Sequence, residues 1–207
     1  MGLIKGTANL TRFKVEGHPP EDMREKYPDK INRFAFRKLD DNSDQEQSSG
    51  WANIMDIFDS RFTWNEFSLE PYIALCWRID KKSVPAKALQ QYCMEAEEEI
   101  MKIENLEKLP KQKRKEIRDI VYSKLLRRAI PRTNTYDMVW DLNSSIVIFG
   151  GTAPKLCDAF SELFFKTFDL NLKTVFPYSL AYDFLEKEGI ETALLDGLKP
   201  ITFKKEN

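Results

Sequence analysis

The chain has 207 residues, 42% of them hydrophobic and 12% aromatic, which is enough for a packed core and excludes wholesale disorder. Its 32 Lys and Arg against 33 Asp and Glu leave a net charge of −1, so any binding of an anionic partner must rest on local segregation of charge. A single histidine, His18, and three scattered cysteines, Cys76, Cys93 and Cys157, exclude a two-imidazole metal site, a disulfide framework and a zinc knuckle.

At about 150 residues per domain, the length is read as one unit spanning 1–207. No apolar run approaches the roughly 18 residues of a membrane span. Residues 1–14 are polar and alternating, without the apolar stretch of a signal peptide. The expectation is a soluble, cytoplasmic chain with no membrane contact.

Residues 6–16 alternate loosely through Leu10, Phe13 and Val15 and predict a strand, ended by Pro19-Pro20. Residues 29–39 predict a short helix burying Ile31, Phe34 and Ala35. Residues 40–49 are polar and predict a loop, and 50–58 and 61–66 predict strands around a turn at Asp59-Ser60. Residues 72–80 alternate well, with Ile73, Leu75, Trp77 and Ile79 on one face of a strand.

Two helices follow. Ser83 is the expected N-cap of the first, with Pro85 in its first turn. Leu89, Cys93, Ala96, Ile100 and Ile103 make an apolar seam over about 20 residues, roughly 30 Å of helix. Leu109-Pro110 breaks it, and residues 111–129 predict a second helix with Ile117, Val121, Leu125 and Arg128 along one face, stopped by Pro131. The short connection makes these helices antiparallel neighbours, a hairpin over 81–131 that projects from the body. Residues 136–142 and 145–149 predict a second, β hairpin turning at Asn143-Ser144. Thr152 then caps a helix with Pro154 in its first turn and Leu156, Phe160, Leu163, Phe164 and Phe168 on its apolar face. A strand over 172–176, a helix over 179–187 ended near Gly189, and a frayed tail at Lys204, Lys205 and Glu206 complete the reading. The fold class is α+β: antiparallel sheets packed by helices, with a long charged helical hairpin.

The charges are strongly segregated. Residues 95–107 carry a net −5 and residues 108–132 a net +8. Lys111, Lys113, Arg114 and Lys115 open a helix, where the macrodipole disfavours cations. One reading is a solvated face paired with the acidic end of the neighbouring helix. The other is a phosphate-binding patch in which cations and helix N-terminal amides meet one anion. Arg127, Arg128 and Arg132 surround a Pro-terminated corner and are expected to project from a tip. Asp56 with Asp59, and Asp137 with Asp141, are the best carboxylate pairs for metal-assisted hydrolysis. The second pair shares a strand face but stands roughly 13 Å apart, so no metal or other cofactor is expected. Gly150-Gly151 lacks the further glycines and lysine of a phosphate loop and reads as a turn.

Several segments together resemble the recombination-associated protein RdgC family. They are Gly50-Trp51, Ile79-Asp80-Lys81-Lys82-Ser83-Val84-Pro85, the Lys113-Arg114-Lys115-Glu116 run, residues 125–132, Val139-Trp140-Asp141 and the helix through Phe160 and Phe168. The resemblance covers roughly residues 50–180 and suggests a short member without most of the family's C-terminal portion. It implies a non-sequence-specific, nucleoid-associated DNA-binding protein that forms a ring-shaped homodimer around duplex DNA and modulates RecA-dependent recombination. Arg128 and Arg132 match the arginines of the family's signature. Arg127, Ile130 and Pro131 stand where that signature has Pro, Phe and Ser, so an aliphatic replaces an aromatic.

The resulting expectation is a DNA-binding homo-oligomer, a dimer, without chemistry of its own, acting on duplex and single-stranded DNA beside a recombinase. The DNA-binding residues are Lys81, Lys82, Lys111, Lys113, Arg114, Lys115, Arg127, Arg128, Ile130 and Arg132. The alternatives are a metal-dependent exonuclease and a charged protein-interaction module.

Overall fold

The computed structural model describes residues 9–40 and 43–197. In chain order the elements are β1 (Thr11–Glu16), α1 (Met23–Arg33), β2 (Gln47–Ala52), α2 (Trp64–Phe67), β3 (Ser68–Leu69), β4 (Tyr72–Lys81), α3 (Ala86–Ile103), α4 (Lys111–Arg128), β5 (Arg132–Asp141), β6 (Ile146–Phe149), α5 (Pro154–Phe168), β7 (Asn171–Thr174) and α6 (Pro177–Lys187). A 3-10 turn, Thr192–Leu195, follows. The fold is α+β. Seven strands form one antiparallel sheet in the order β2-β4-β5-β6-β1-β7, with β3 added to β4.

Strand alternation decides which face is buried. Phe13 and Val15 of β1, Trp51 of β2, Ile73, Leu75 and Trp77 of β4, Met138 and Trp140 of β5, and Val147 and Phe149 of β6 enter one core. Register puts them on one face, since Trp51 opposes Trp77 and Trp77 opposes Tyr136. The i, i+4 spacing of Phe160, Phe164 and Phe168 turns one stripe of α5 onto that face. The Phe160 ring stacks on Phe149 at 3.9 Å, and Phe164 meets Trp140 edge-on at 5.3 Å. Tyr27 and Ile31 of α1 close the same core.

Gly50-Trp51 has a structural reason. The extended segment after α1 bridges β2 in parallel, with Phe36 N–H donating to Trp51 O at 2.8 Å and Trp51 N–H to Phe34 O at 2.9 Å. A Cβ at Gly50 would lie 2.6 Å from Phe36 N, so only glycine fits beneath the crossing chain. Trp51 is fully buried, and its indole N–H donates to Thr167 Oγ1 at 2.9 Å. Thr167 in turn donates to Leu163 O at 2.8 Å. This chain of bonds ties β2 to α5 inside the aromatic core.

On the opposite face Arg78 and Asp80 are buried together, two residues apart on β4. Arg78 donates to Asp80 through Nε at 2.9 Å and Nη2 at 2.7 Å, and through Nη1 to Ile57 O at 3.0 Å. Its guanidinium stacks on Phe36 at 4.1 Å. Burial pushes the Asp80 carboxyl up, but hydrogen bonds from Arg78 and Thr133 outweigh it and hold it below its ordinary value.

Several sequence expectations need correction. The first helix spans Met23–Arg33, not 29–39, and carries Pro28 inside it. Burying Tyr27 and Ile31 one turn apart outweighs the lost backbone bond at Pro28, and Ala35 pairs with Trp51 instead of continuing the helix. Residues 47–49, expected in a loop, begin β2, because a polar segment can still pair at the edge of β4. Residues 53–63 are a loop rather than strand, and Trp64–Phe67 is a short helix. That loop is built from Asx turns: Asn53, Asp56 and Asp59 side chains accept backbone N–H groups from Met55, Phe58 and Arg61. The N-cap positions of α3 and α5 are Pro85 and Ala153, not Ser83 and Thr152. Gly151 packs against Leu156 and Phe149, and Gly150 against the Asp137 backbone, so close packing accounts for both glycines. The expected frayed tail lies outside the described residues.

Trp51→Phe removes a buried donor and leaves Thr167 short of a partner, so it should cost about 1–3 kcal/mol. Urea denaturation at an unchanged slope checks this. Adding Thr167→Val should then cost less than it does in the wild-type background, because the two residues are coupled.

Candidate nucleic-acid interface

The helical hairpin leaves the sheet after Lys81 and returns to it at Arg132, and these two residues are directly opposed in the β4–β5 register. Leu89, Leu109, Ile117 and Val121, with Cys93, Ala96, Ile100 and Leu125 packed around them, form an apolar cluster separate from the sheet core. The expected seam is therefore real, except that Ile103 is exposed at its end.

α4 has no acid in its first turn and no side-chain cap. The acidic end of α3 supplies the missing negative charge. Lys113 pairs with Glu104, and Arg114 Nε lies 3.5 Å from Glu97. Two of the four cations at the helix opening are thus engaged within the hairpin. Lys111 and Lys115 are exposed and form no ion pair among the described residues.

The arginine cluster is not at a tip. α4 runs back towards the sheet, so Arg127, Arg128 and Arg132 lie at the base of the hairpin, and its distal end is the 104–110 connection. The reason is topological: an antiparallel return delivers the end of α4 to the strand that pairs with β4. Arg127 grips Asp44 through Nε at 2.9 Å and Nη2 at 3.1 Å. The Ser123 hydroxyl donates to the same carboxylate at 2.6 Å. The hydrogen bonds from Arg127 and Ser123 pull the Asp44 carboxyl down to about 2. Tyr122 donates to Glu46 at 2.6 Å, so residues 44–46 strap α4 to the entrance of β2. Asp44 went unrecognised in the sequence because nothing in local spacing links it to an arginine 83 residues away.

Lys82 is removed from the candidate surface. Its side chain is 1% exposed and donates to Asp40 O at 3.3 Å beneath the strap. Lys82 lies just past the end of β4, where its backbone N–H also donates to Glu46 O at 2.8 Å, so it is covered while Lys81 stays exposed. Lys81, Arg128 and Arg132 are exposed and form no ion pair among the described residues, and Ile130 between them is 91% exposed. A like-charge pair directly across two strands is unfavourable. Lys14 and Lys173 make such a pair on β1 and β7, and Asp183 offsets it at 3.2 Å from Lys14. Lys81 and Arg132 have no such acid among the described residues.

The carboxylate pairs serve turns and packing. Asp141 accepts from Asn143 N–H and Ser144 Oγ in the β5–β6 turn, and the Ser144 bond holds its carboxyl below the ordinary value. Asp137 is buried beside Cys76, whose thiol is pushed up to about 12, first by burial and then by the Asp137 charge. Among the described residues no group of three or more His, Cys, Asp and Glu side chains is placed to hold a metal ion. No helix among them is long and apolar enough to cross a membrane.

A family model described as "Putative exonuclease, RdgC" matches residues 8–181. No curated protein matches the chain. The match runs from the edge of β1 into α6 and so takes in the whole sheet, the charged hairpin and α5. The family's function is DNA-related, and the chain belongs to the RdgC family.

Proposed function

We propose that the chain binds DNA through its phosphate backbone, using the base of the helical hairpin, and that it carries out no chemistry of its own. The observation that carries this reading is the uncompensated pair Lys81 and Arg132, with Arg128 four residues before Arg132. Lys81 and Arg132 are exposed and directly opposed across two strands, and exposed Arg128 ends α4 just before the second of them. Phosphate oxygens would relieve their mutual repulsion, and such contacts position a duplex without reading its bases. Lys111 and Lys115 extend the surface along the hairpin, which projects as an arm in this reading. Lys113, Arg114 and Arg127 are held in exposed ion pairs worth little, and can exchange a carboxylate for a phosphate. The family resemblance adds the finer expectations of a homodimer around duplex DNA and of action on homologous recombination.

The second reading is the exonuclease named in the family's description. It needs acids gathered around a metal, and the local turn roles of Asp56, Asp59 and Asp141 speak against those residues.

Replacing Lys81, Arg128 and Arg132 together by Gln should weaken duplex binding alike on unrelated sequences. The slope of log K against log salt should become shallower by about 2 to 3, at about 0.9 for each phosphate that is no longer neutralised. Unchanged affinity and slope would reject the hairpin base as the interface. Asp44→Asn should do the reverse: freeing Arg127 should tighten binding and steepen the slope by about 0.9, the value of one further phosphate. Mg²⁺ or Mn²⁺ should elicit no cleavage of end-labelled linear DNA by pure protein, and cleavage abolished by Asp137→Asn would reinstate the nuclease.

A further inference from the structure

A pocket of about 430 Å³ opens at the outer edge of β2, between the end of α1, the segment after it and α5. Arg33, Arg37 and Lys38 line it, with Gln45, Ser48 and Ser49. No carboxylate lines it. The three cations form no ion pair among the described residues, and the Ser49 hydroxyl has no hydrogen-bond partner there. A cation in the last turn of a helix satisfies the macrodipole, which accounts for Arg33 alone. Arg37 and Lys38 lie beyond the helix, in the extended segment that bridges β2, so the dipole does not explain them.

We infer that this pocket is a phosphate-binding site, in which two guanidinium groups and an ammonium enclose a tetrahedral phosphate oxyanion and Ser49 donates to it. Arg forks match phosphate oxygens in pairs, and a concave wall without acids concentrates anions. Register connects the pocket to the hairpin base. Ser49 opposes Ile79, and Gln47, Lys81 and Arg132 form the next row on the helix-covered face. Two strand spacings, roughly 10 Å, separate Gln47 from Arg132. The pocket and the hairpin base therefore sit at one end of the sheet on one face, and a nucleic-acid strand crossing that end meets both. This extension rests on the proposed DNA reading, whereas the phosphate chemistry of the pocket does not.

The test compares Arg37→Gln/Lys38→Gln with the triple hairpin-base variant on one duplex, with matched thermal melts. Binding is measured across salt, and Arg37 is mapped by phenylglyoxal modification with DNA, with inorganic phosphate and with neither. The pocket variant should lose on the order of tenfold or more in affinity near 0.1 M salt and about 2 from the slope, and both ligands should protect Arg37. Wild-type affinity and slope in the pocket variant, with no protection by either ligand, would overturn the site whatever the hairpin-base variant does. Loss in the pocket variant alone would keep the site and reject the hairpin base. Protection by phosphate in a chain that binds no DNA would keep the site for free phosphate and reject the DNA reading.

Discussion

The pairing of β4 with β5 is the constraint on which the rest of the molecule depends. It runs without interruption from Tyr72 opposite Asp141 to Lys81 opposite Arg132. Each step fixes something else. The inner rows place Leu75 beside Met138 and Ile73 beside Trp140, the floor on which α5 lays its phenylalanines. The outer rows place Cys76 beside Asp137 and Asp80 beside Thr133, where buried polar groups find their partners. The last row closes the hairpin at its root. A slip of one residue would turn every one of these side chains to the wrong face. The long connection between the two strands is tolerated because its helices bury a seam of their own, and residues 44–46 tie α4 back to the entrance of β2.

Electrostatics in this chain is a matter of which charges are already answered. The basic opening of α4 looks like a ligand site in isolation, yet two of its cations face glutamates of α3 across the hairpin. Arg127 meets Asp44 and Lys82 is covered by the strap. Such pairs hold the hairpin together with little energy each. Among the described residues, cations without an ion pair include Lys111 and Lys115 at the helix opening, Lys81, Arg128 and Arg132 at the root of the hairpin, and Arg33, Arg37 and Lys38 along the outer edge of β2. The net charge of −1 conceals this, because 33 Asp and Glu offset 32 Lys and Arg over the whole chain.

The parts of the fold with strong local periodicity were legible in the sequence. β4 was expected over 72–80 and spans Tyr72–Lys81, and the helices of the charged hairpin were expected within a few residues of their ends. Their signal is internal: a strand reads by alternation and a hairpin by two seams and a break. Where tertiary contacts decide, the reading failed. The first helix was expected from residue 29, yet burial of Tyr27 and Ile31 in the core carries it across Pro28, and Gln47-Ser48-Ser49 looks like a loop until β4 is there to pair with it. The candidate site divides the same way. That cations would gather near 108–132 was evident from composition, but their position at a base rather than a tip follows from the antiparallel return of α4. Arg33, Arg37 and Lys38 are spread along a helix end and an extended segment, and only the bridge at Ala35 and Trp51 folds them into one wall.

The division between rigid and exchangeable cations has a consequence for how a polyanion would be held. In the proposed reading, strand pairing fixes the backbone from which Lys81 and Arg132 extend, so these two exposed side chains would set the position of a bound phosphate backbone. Lys113, Arg114 and Arg127 sit on flexible side chains already paired with carboxylates. For them a phosphate replaces one charge-assisted bond with another, so the net gain from each is small and falls as salt rises. In the proposed reading the first group would set where DNA sits, and the second would add affinity once it is there. An aromatic at the signature position would add stacking to the first group. Ile130 stands there instead, exposed two residues before Arg132, and presents an apolar surface without a π face, so in the proposed reading binding would rest on phosphate contacts and tolerate sequence.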